Sequence, residues 1–385
     1  MKIYATNFKD NPTDLSSVGG DVTEKFHRLL SDAISADNLL VLAGSGASLV
    51  VVDSKGKSVL PSMGDLWNVA KGEKDFAEVA RIVGYDITKE NIEGFLSRCE
   101  SSLEFISKDD KTKVENLLKV IRSRIGELCG VVNPDTELDV HETFLRKLVR
   151  RNQRKTRTKI FTTNYDKCFE FAASKTGMIP VDGFSHVIPQ KYDPIYFTYD
   201  FVRRDDDEGK IEFLPNVFQL LKLHGSIDWA RSDKTGEVHK EQNCKDPLII
   251  YPHDGKFKQS FELPYLDIIS DFQRSLRKNS TTIIVCGFGF NDDHLSNMID
   301  SAVRTNGELK IIVVNRTIDI NNKYISRMKK LIEKNDCRIM LVEGTFEDFS
   351  EHLPYVMLSH TEEELHNERT SRVIIEGLKV DDQKD

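Results

Sequence analysis

The sequence predicts an α/β protein: a Rossmann-like, doubly wound parallel sheet with an inserted helical module and a small aromatic-rich irregular insertion. Three observations predict it. The apolar run Leu39-Leu40-Val41-Leu42-Ala43 breaks into Gly44-Ser45-Gly46-Ala47-Ser48, as a buried strand does when it feeds a tight turn. Nearer the other end, three apolar runs each precede a helical pattern: 282–287 with 292–302, 309–315 with 318–332, and 337–342 with 346–353. Strands alternating with helices imply parallel strands joined by crossovers. Between these regions, 64–150 repeats its apolar residues almost wholly at helical spacing.

Taken in order, residues 1–20 mix polar residues with one proline and two glycines, and predict an extended arm or a lead-in that contacts a partner. Val22, Phe26, Leu29, Leu30 and Ile34 then recur near helical spacing, with Asp21 or Thr23 available as a cap. After the glycine turn, 50–61 has no helical period, and Lys55-Gly56-Lys57 reads as an exposed turn. In the helical run, Ile92, Phe95 and Leu96 form one face, and Val114, Leu117, Leu118, Ile121, Ile125 and Leu128 form a stripe. Such stripes are core, so they are assigned packing and no chemistry.

The stretch 146–159 is dense in cations; it reads either as a solvated helix end or as a patch for a partner or nucleic acid. A strand over 159–162 precedes a helix over 165–176. Residues 181–215 carry Tyr192, Tyr196, Phe197, Tyr199 and Phe201 around an acidic turn at 205–209, and predict a hairpin or irregular lid. A second irregular insertion spans 230–263, with a hairpin turn at Lys234-Thr235-Gly236 and an apolar run at 248–251. A helix is expected over 261–276. The organisation is therefore an arm (1–20), a main body (21–360) holding the module (64–150) and both insertions, and a charged tail (361–385).

Composition narrows the function classes. At 385 residues with 39% hydrophobic content the chain buries a large core. Acidic residues outnumber basic ones, 62 to 54, and the net charge of −8 argues against a general nucleic-acid coat while leaving room for a local basic patch. Six cysteines occur without any Cys-x-x-Cys pair, which reads as reduced thiols in a cytoplasmic protein. No apolar run approaches the roughly 20 residues of a membrane helix.

Chemistry-bearing residues fall where strands end. Gly44, Ser45, Gly46 and Ser48 follow the first strand, Thr163, Asn164 and Asp166 the second, His224 the run Leu220-Leu221-Lys222-Leu223, Gly287 and Asn291 the run Ile284-Val285-Cys286, and Asn315 the run Ile312-Val313-Val314. In open parallel sheets ligands bind at those ends. Glycines at the first turn allow backbone N–H groups to approach a pyrophosphate.

In order and wording, Gly44-Ser45-Gly46-Ala47-Ser48, Thr162-Thr163-Asn164-Tyr165-Asp166, His224-Gly225, Cys286-Gly287-Phe288-Gly289-Phe290-Asn291-Asp292 and Val314-Asn315 resemble the sirtuin family. The resemblance is nearest to the sirtuin-like proteins of bacterial antiphage defence. It implies NAD+ as substrate and cleavage of the nicotinamide–ribose bond. Asn164 would hold the ribose or a water, and His224 would accept a proton. Gly44, Ser45, Gly46, Ser48, Thr163, Asp166, Gly287, Asn291 and Asn315 would contact the nucleotide, with Ser48 on phosphate and Asp166 holding its loop. His294 is expected to cap the next helix along with its neighbours.

Two family elements are missing. No cysteine pairs have zinc-ribbon spacing, so no zinc is expected. The Pro-Asp-Phe-Arg element expected after the first glycine turn is absent, and Pro61-Ser62-Met63-Gly64 stands in its neighbourhood. Both departures argue against peptide deacetylation and leave NAD+ cleavage by water, giving ADP-ribose and nicotinamide. The alternatives are a non-catalytic nucleotide-sensing or assembly module, or a nucleic-acid-acting subunit, in complex with a HerA-type ATPase. No Walker lysine motif is present, so that ATPase would be a separate chain. A homo-oligomer is also expected.

Overall fold

A computed structural model describes residues 1–8, 11–17, 19–149, 155–204, 209–249 and 263–355. The expected charged tail, the acidic turn at 205–208, residues 150–154 of the cation-rich run and residues 250–262 lie outside them. The strands are β1 (Lys2–Tyr4), β2 (Thr13–Asp14), β3 (Asn38–Ala43), β4 (Lys159–Thr162), β5 (Ile179–Val181), β6 (Val202–Arg204), β7 (Ile211–Phe213), β8 (Val217–Lys222), β9 (Trp229–Arg231), β10 (Val238–Lys240), β11 (Thr281–Cys286), β12 (Lys310–Asn315) and β13 (Ile339–Glu343). The helices are α1 (Gly20–Ile34), α2 (Ser45–Ser48), α3 (Met63–Gly72), α4 (Phe76–Ile82), α5 (Ile92–Ser102), α6 (Lys108–Cys129), α7 (Asp139–Leu148), α8 (Cys168–Thr176), α9 (Tyr265–Leu276), α10 (Asp293–Thr305), α11 (Lys323–Glu333) and α12 (Phe346–His352).

One nine-stranded sheet organises the molecule, in the order β2-β1-β13-β12-β11-β3-β4-β8-β5. From β13 across to β5 the neighbours run parallel. This is the doubly wound arrangement, and the strand order reverses beside β3, where β4 lies on one side and β11 on the other. Both faces of the sheet are covered, and the alternation along β3 shows it. Leu39, Val41 and Ala43 join one core with Phe26, Phe144 and Phe346. Leu40 and Leu42 join the other with Phe272, Leu295 and Ile325. Each fully buried Leu contributes roughly 1.5–3 kcal/mol.

Three expectations are corrected. The lead-in is not a free arm, because β1 pairs antiparallel with β13 and β2 with β1; Ile3 is fully buried in the first core. The cap of α1 is Gly19 with no side-chain bond, so neither Asp21 nor Thr23 caps it. The helical module also stops short of residue 150. Helices α3 to α6 share their own core, including Trp67, Phe76, Phe95, Leu118 and Ile125, whereas Phe144, Leu145 and Leu148 of α7 are buried against the sheet. The apolar stripe of α6 includes Cys129, one turn on from Ile125, and Leu128 is only partly buried.

The described cations between Arg146 and Lys159 are engaged within the fold. Arg146 pairs with Glu142 and Lys159 with Asp271, and Lys155 bonds the Ser35 carbonyl. Arg157 grips the Asp200 carboxylate at 2.8–3.2 Å. Lys147 is buried and caps the end of α12 through the carbonyls of Ser350 and Glu351, both at 2.8 Å. No described helix is long and apolar enough to cross a membrane.

Candidate active site

Strand register assembles the site. Ala43 lies opposite Thr162 and Cys286, and Thr162 opposite Lys222. The residues that follow, Gly44, Thr163, Leu223 and Gly287, therefore leave the sheet at one level, on the edge where the strand order reverses. A cleft opens there. Ser45, Ser48, Thr163, Asn164, Asp166, His224, Gly287 and Asn291 line it, with Pro61, Met63 and Leu66 as an apolar wall. Pro61 and Met63, from the segment after the glycine turn, thus contribute to the cleft. Gly44, Gly46 and Asn315 are not on its surface.

The glycines serve backbone packing. A Cβ on Gly44 would sit 2.6 Å from the Gly287 carbonyl oxygen, and one on Gly46 would sit 2.7 Å from the Gly287 Cα. Gly287 itself has φ +62°. The N–H groups of Gly44 and Gly46 donate to the carbonyls of Cys286 and Gly287 at 2.9 and 3.0 Å. The two turns are locked together, so neither amide is directed at a pyrophosphate. Asn315 secures the same region, its side-chain amide donating to the Phe288 carbonyl at 2.9 Å.

Asn164 is buried and held from two sides. Its Nδ2 donates to the Gly44 carbonyl at 2.8 Å and to Ser48 Oγ at 2.6 Å. A carbonyl only accepts, which fixes the amide orientation and leaves Oδ1 as the group available to a ligand. Ser48 in turn donates to Asp166 Oδ2 at 2.6 Å, so its hydroxyl secures Asn164 and is not turned to phosphate. The other Asp166 oxygen accepts the Cys168 N–H at 3.0 Å.

Beneath this loop lies a buried cation. Lys222 pairs with Glu170 at 2.8 Å, donates to Ser226 Oγ at 3.0 Å and bonds the Asp166 carbonyl. Burial opposes its charge, but Glu170, Asp228 and Asp166 outweigh burial and raise its pKa. The loops carrying Asn164 and His224 are thereby tied to one ammonium.

His224 sits between two carboxylates. Nε2 lies 3.2 Å from Asp292 Oδ2, and Nδ1 lies 3.8 Å from Glu93 Oε1. Burial would lower the imidazole pKa, but the Asp292 bond and the two negative charges raise it above its ordinary value. Asp292 is pushed up by burial and pulled further down by His224 and by the N–H groups of His294 and Leu295. It is also the N-cap of α10, so within the group expected to cap that helix the side-chain cap is Asp292, and His294 supplies a backbone N–H to it. Glu93 shows the reverse balance: burial and Asp292 raise it more than His224 and a hydrogen bond to Tyr165 lower it.

Glu93, Asp292 and Tyr165 are the residues that sequence reasoning missed. Glu93 occupies the first turn of α5, where an acid is commonplace beside the helix dipole. Asp292 reads as an ordinary cap. No local signal separates either from its structural role. Tyr165, next to Asn164, packs in the core of the helical module together with Ile227 and Ile249, so the module and the loops that follow β4 and β8 share one core. Among the described residues no cluster of His, Cys, Asp and Glu is arranged to hold a metal ion.

Sheet order and cleft together describe a Rossmann-like protein with a cleft at the topological switch. Residues 158–336 match the family model of a SIR2-like domain. A solved structure from work on the structural basis of sirtuin substrate affinity is similar at 12% identity, over 85% of this chain and 96% of that chain, with a TM-score of 0.38. The fold assignment rests on the sheet order and not on that likeness. A comparison with curated proteins gives no match.

Proposed function

We propose that the protein is an NAD+ glycohydrolase that releases nicotinamide and ADP-ribose. The supporting observation is that Asn164, His224, Asp292 and Glu93 line one cleft at the switch point of the sheet, with His224 between the two carboxylates. Nicotinamide departs as a neutral ring from a cationic precursor, so its departure needs no acid. The difficulty lies in the positive charge that develops on the ribose, and a cleft walled by carboxylates favours that charge in the transition state. Asn164 Oδ1 is placed to accept a ribose hydroxyl. In the same reading the protein depletes NAD+ as a bacterial antiphage effector, working as a homo-oligomer or with a HerA-type ATPase. Incubating the full chain with NAD+ and following free nicotinamide tests this; ADP-ribose and nicotinamide in equal amounts are expected, and no release overturns it.

A further inference from the structure

We propose that Glu93, carried by the helical module and not by the sheet, is the general base of the cleft, and that His224 is its electrostatic partner. This rests on the hydrolase reading above. Three carboxyl groups and one imidazole line the cleft close together, and only one of the four retains an open face. Asp166 has both oxygens engaged, by Ser48 and by the Cys168 N–H. Asp292 is committed to His224 and to the start of α10, and its side chain is 6% exposed. His224 is 7% exposed, with Nε2 on Asp292 and Nδ1 turned to Glu93, shielded and without a hydrogen bond. Glu93 keeps 23% of its side-chain surface and lines the cleft beside Asn164.

The chemistry of the ring points the same way. A carboxylate on each side of an imidazole favours the imidazolium, which has no lone pair with which to take a proton. A neutral ring would have to turn one lone pair onto a carboxylate. Glu93 is raised by burial and by Asp292, the direction that improves a carboxylate as a base near neutral pH. The groups facing this pair come from every adjoining element: Asp292 ahead of α10, Tyr165 and Asp166 after β4, and Cys129 at the end of α6. In the reaction a water O–H breaks and its proton goes to a Glu93 oxygen. The water oxygen bonds to the ribose C1′, and the C1′–N bond breaks with its electron pair passing to the nicotinamide nitrogen. Because Glu93 stands on α5 while Asn164 and His224 follow β4 and β8, the base is in place only when the module is seated on the sheet.

The test compares the full-length parent with Glu93→Gln, which keeps the shape and removes the charge. Nicotinamide release by the variant is expected to fall about 10²- to 10⁴-fold in kcat, with little change in KM for NAD+ and loss of the acidic limb of the pH profile. Azide, an anionic nucleophile that needs no deprotonation, is expected to restore release in the variant and not to stimulate the parent. The His224 imidazole, followed by NMR with His224→Gln as the assignment control, is expected to titrate at lower pH in the variant. A parent that releases no nicotinamide overturns the hydrolase reading and this role with it. A parent that is active beside an equally active Glu93→Gln overturns the role of Glu93 alone. An impaired variant that azide does not rescue, or an unmoved His224 titration, also overturns the role.

Discussion

At the scale of single residues, a buried group in this fold is set by what its nitrogens and oxygens meet. His224 and His141 show the two extremes. His141 on α7 packs edge-on against Phe169 and Phe346, with ring centroids 5.2 and 5.3 Å away, and neither ring nitrogen has a hydrogen-bond partner. Burial lowers its pKa from 6.5 to about 4. The folded state therefore binds fewer protons than the unfolded state between those values, so stability falls as pH drops from 6.5 towards 4, by up to roughly 1.4 kcal/mol per unit from this group. Thermal melts of His141→Leu across that window are expected to show a flatter acid limb than the parent. An unchanged slope would mean that another group sets it.

At the scale of elements, the turns at the strand ends tolerate no added carbon. Gly46→Val would drive its side chain into the Gly287 backbone, so it is expected to lower stability first and ligand affinity only as a consequence. Gly225 is more restrictive still. Its φ is +83°, and a Cβ there would lie 2.2 Å from the Leu248 carbonyl oxygen. Gly225→Ala combines backbone strain with a collision that only backbone movement relieves, and a loss of about 2–5 kcal/mol is expected by denaturant titration. A control at Gly177, which also has positive φ but nothing within 4 Å of an added methyl, is expected to lose only the strain component, about 1 kcal/mol. Equal losses at both positions would remove the packing argument.

At the scale of the whole molecule, the loops of Asn164 and His224 are joined to the rest of the protein by a buried charge and by a shared apolar core. Lys222 neutralises Glu170 and Asp228 beneath the loops of Asn164 and His224. Lys222→Met leaves buried Glu170 without its cation, a change that typically costs about 3–5 kcal/mol. Removing the charge requirement on both sides, in Lys222→Met with Glu170→Leu, is expected to recover part of that loss. A double variant as unstable as the sum of the singles would show that the pair is not coupled. The module is joined through Tyr165, Ile227 and Ile249, so Phe95→Ala, at the centre of the module core, is expected to cost about 3–5 kcal/mol and to weaken the Glu93 side of the cleft with it.

Local pattern was enough to specify the parallel sheet, its crossovers and the level at which the loops of Asn164 and His224 leave it. Hydrophobic period and turn residues are properties of short windows, and 282–287, 309–315 and 337–342 became β11, β12 and β13 for that reason. The pairing of Lys2–Tyr4 with β13 was not legible, because three residues carry no period and only a distant edge gives them a partner. The same limit holds at the cleft. Asn164 and His224 stood out as polar residues at strand ends. It took the folded arrangement to reveal that the Asn164 donors are spent on Gly44 and Ser48, that the glycines serve turn-on-turn packing, and that Glu93 comes from a separate helical module to face His224. Each of these depends on which groups meet across more than a hundred residues of chain, a matter of packing geometry that no window of sequence contains.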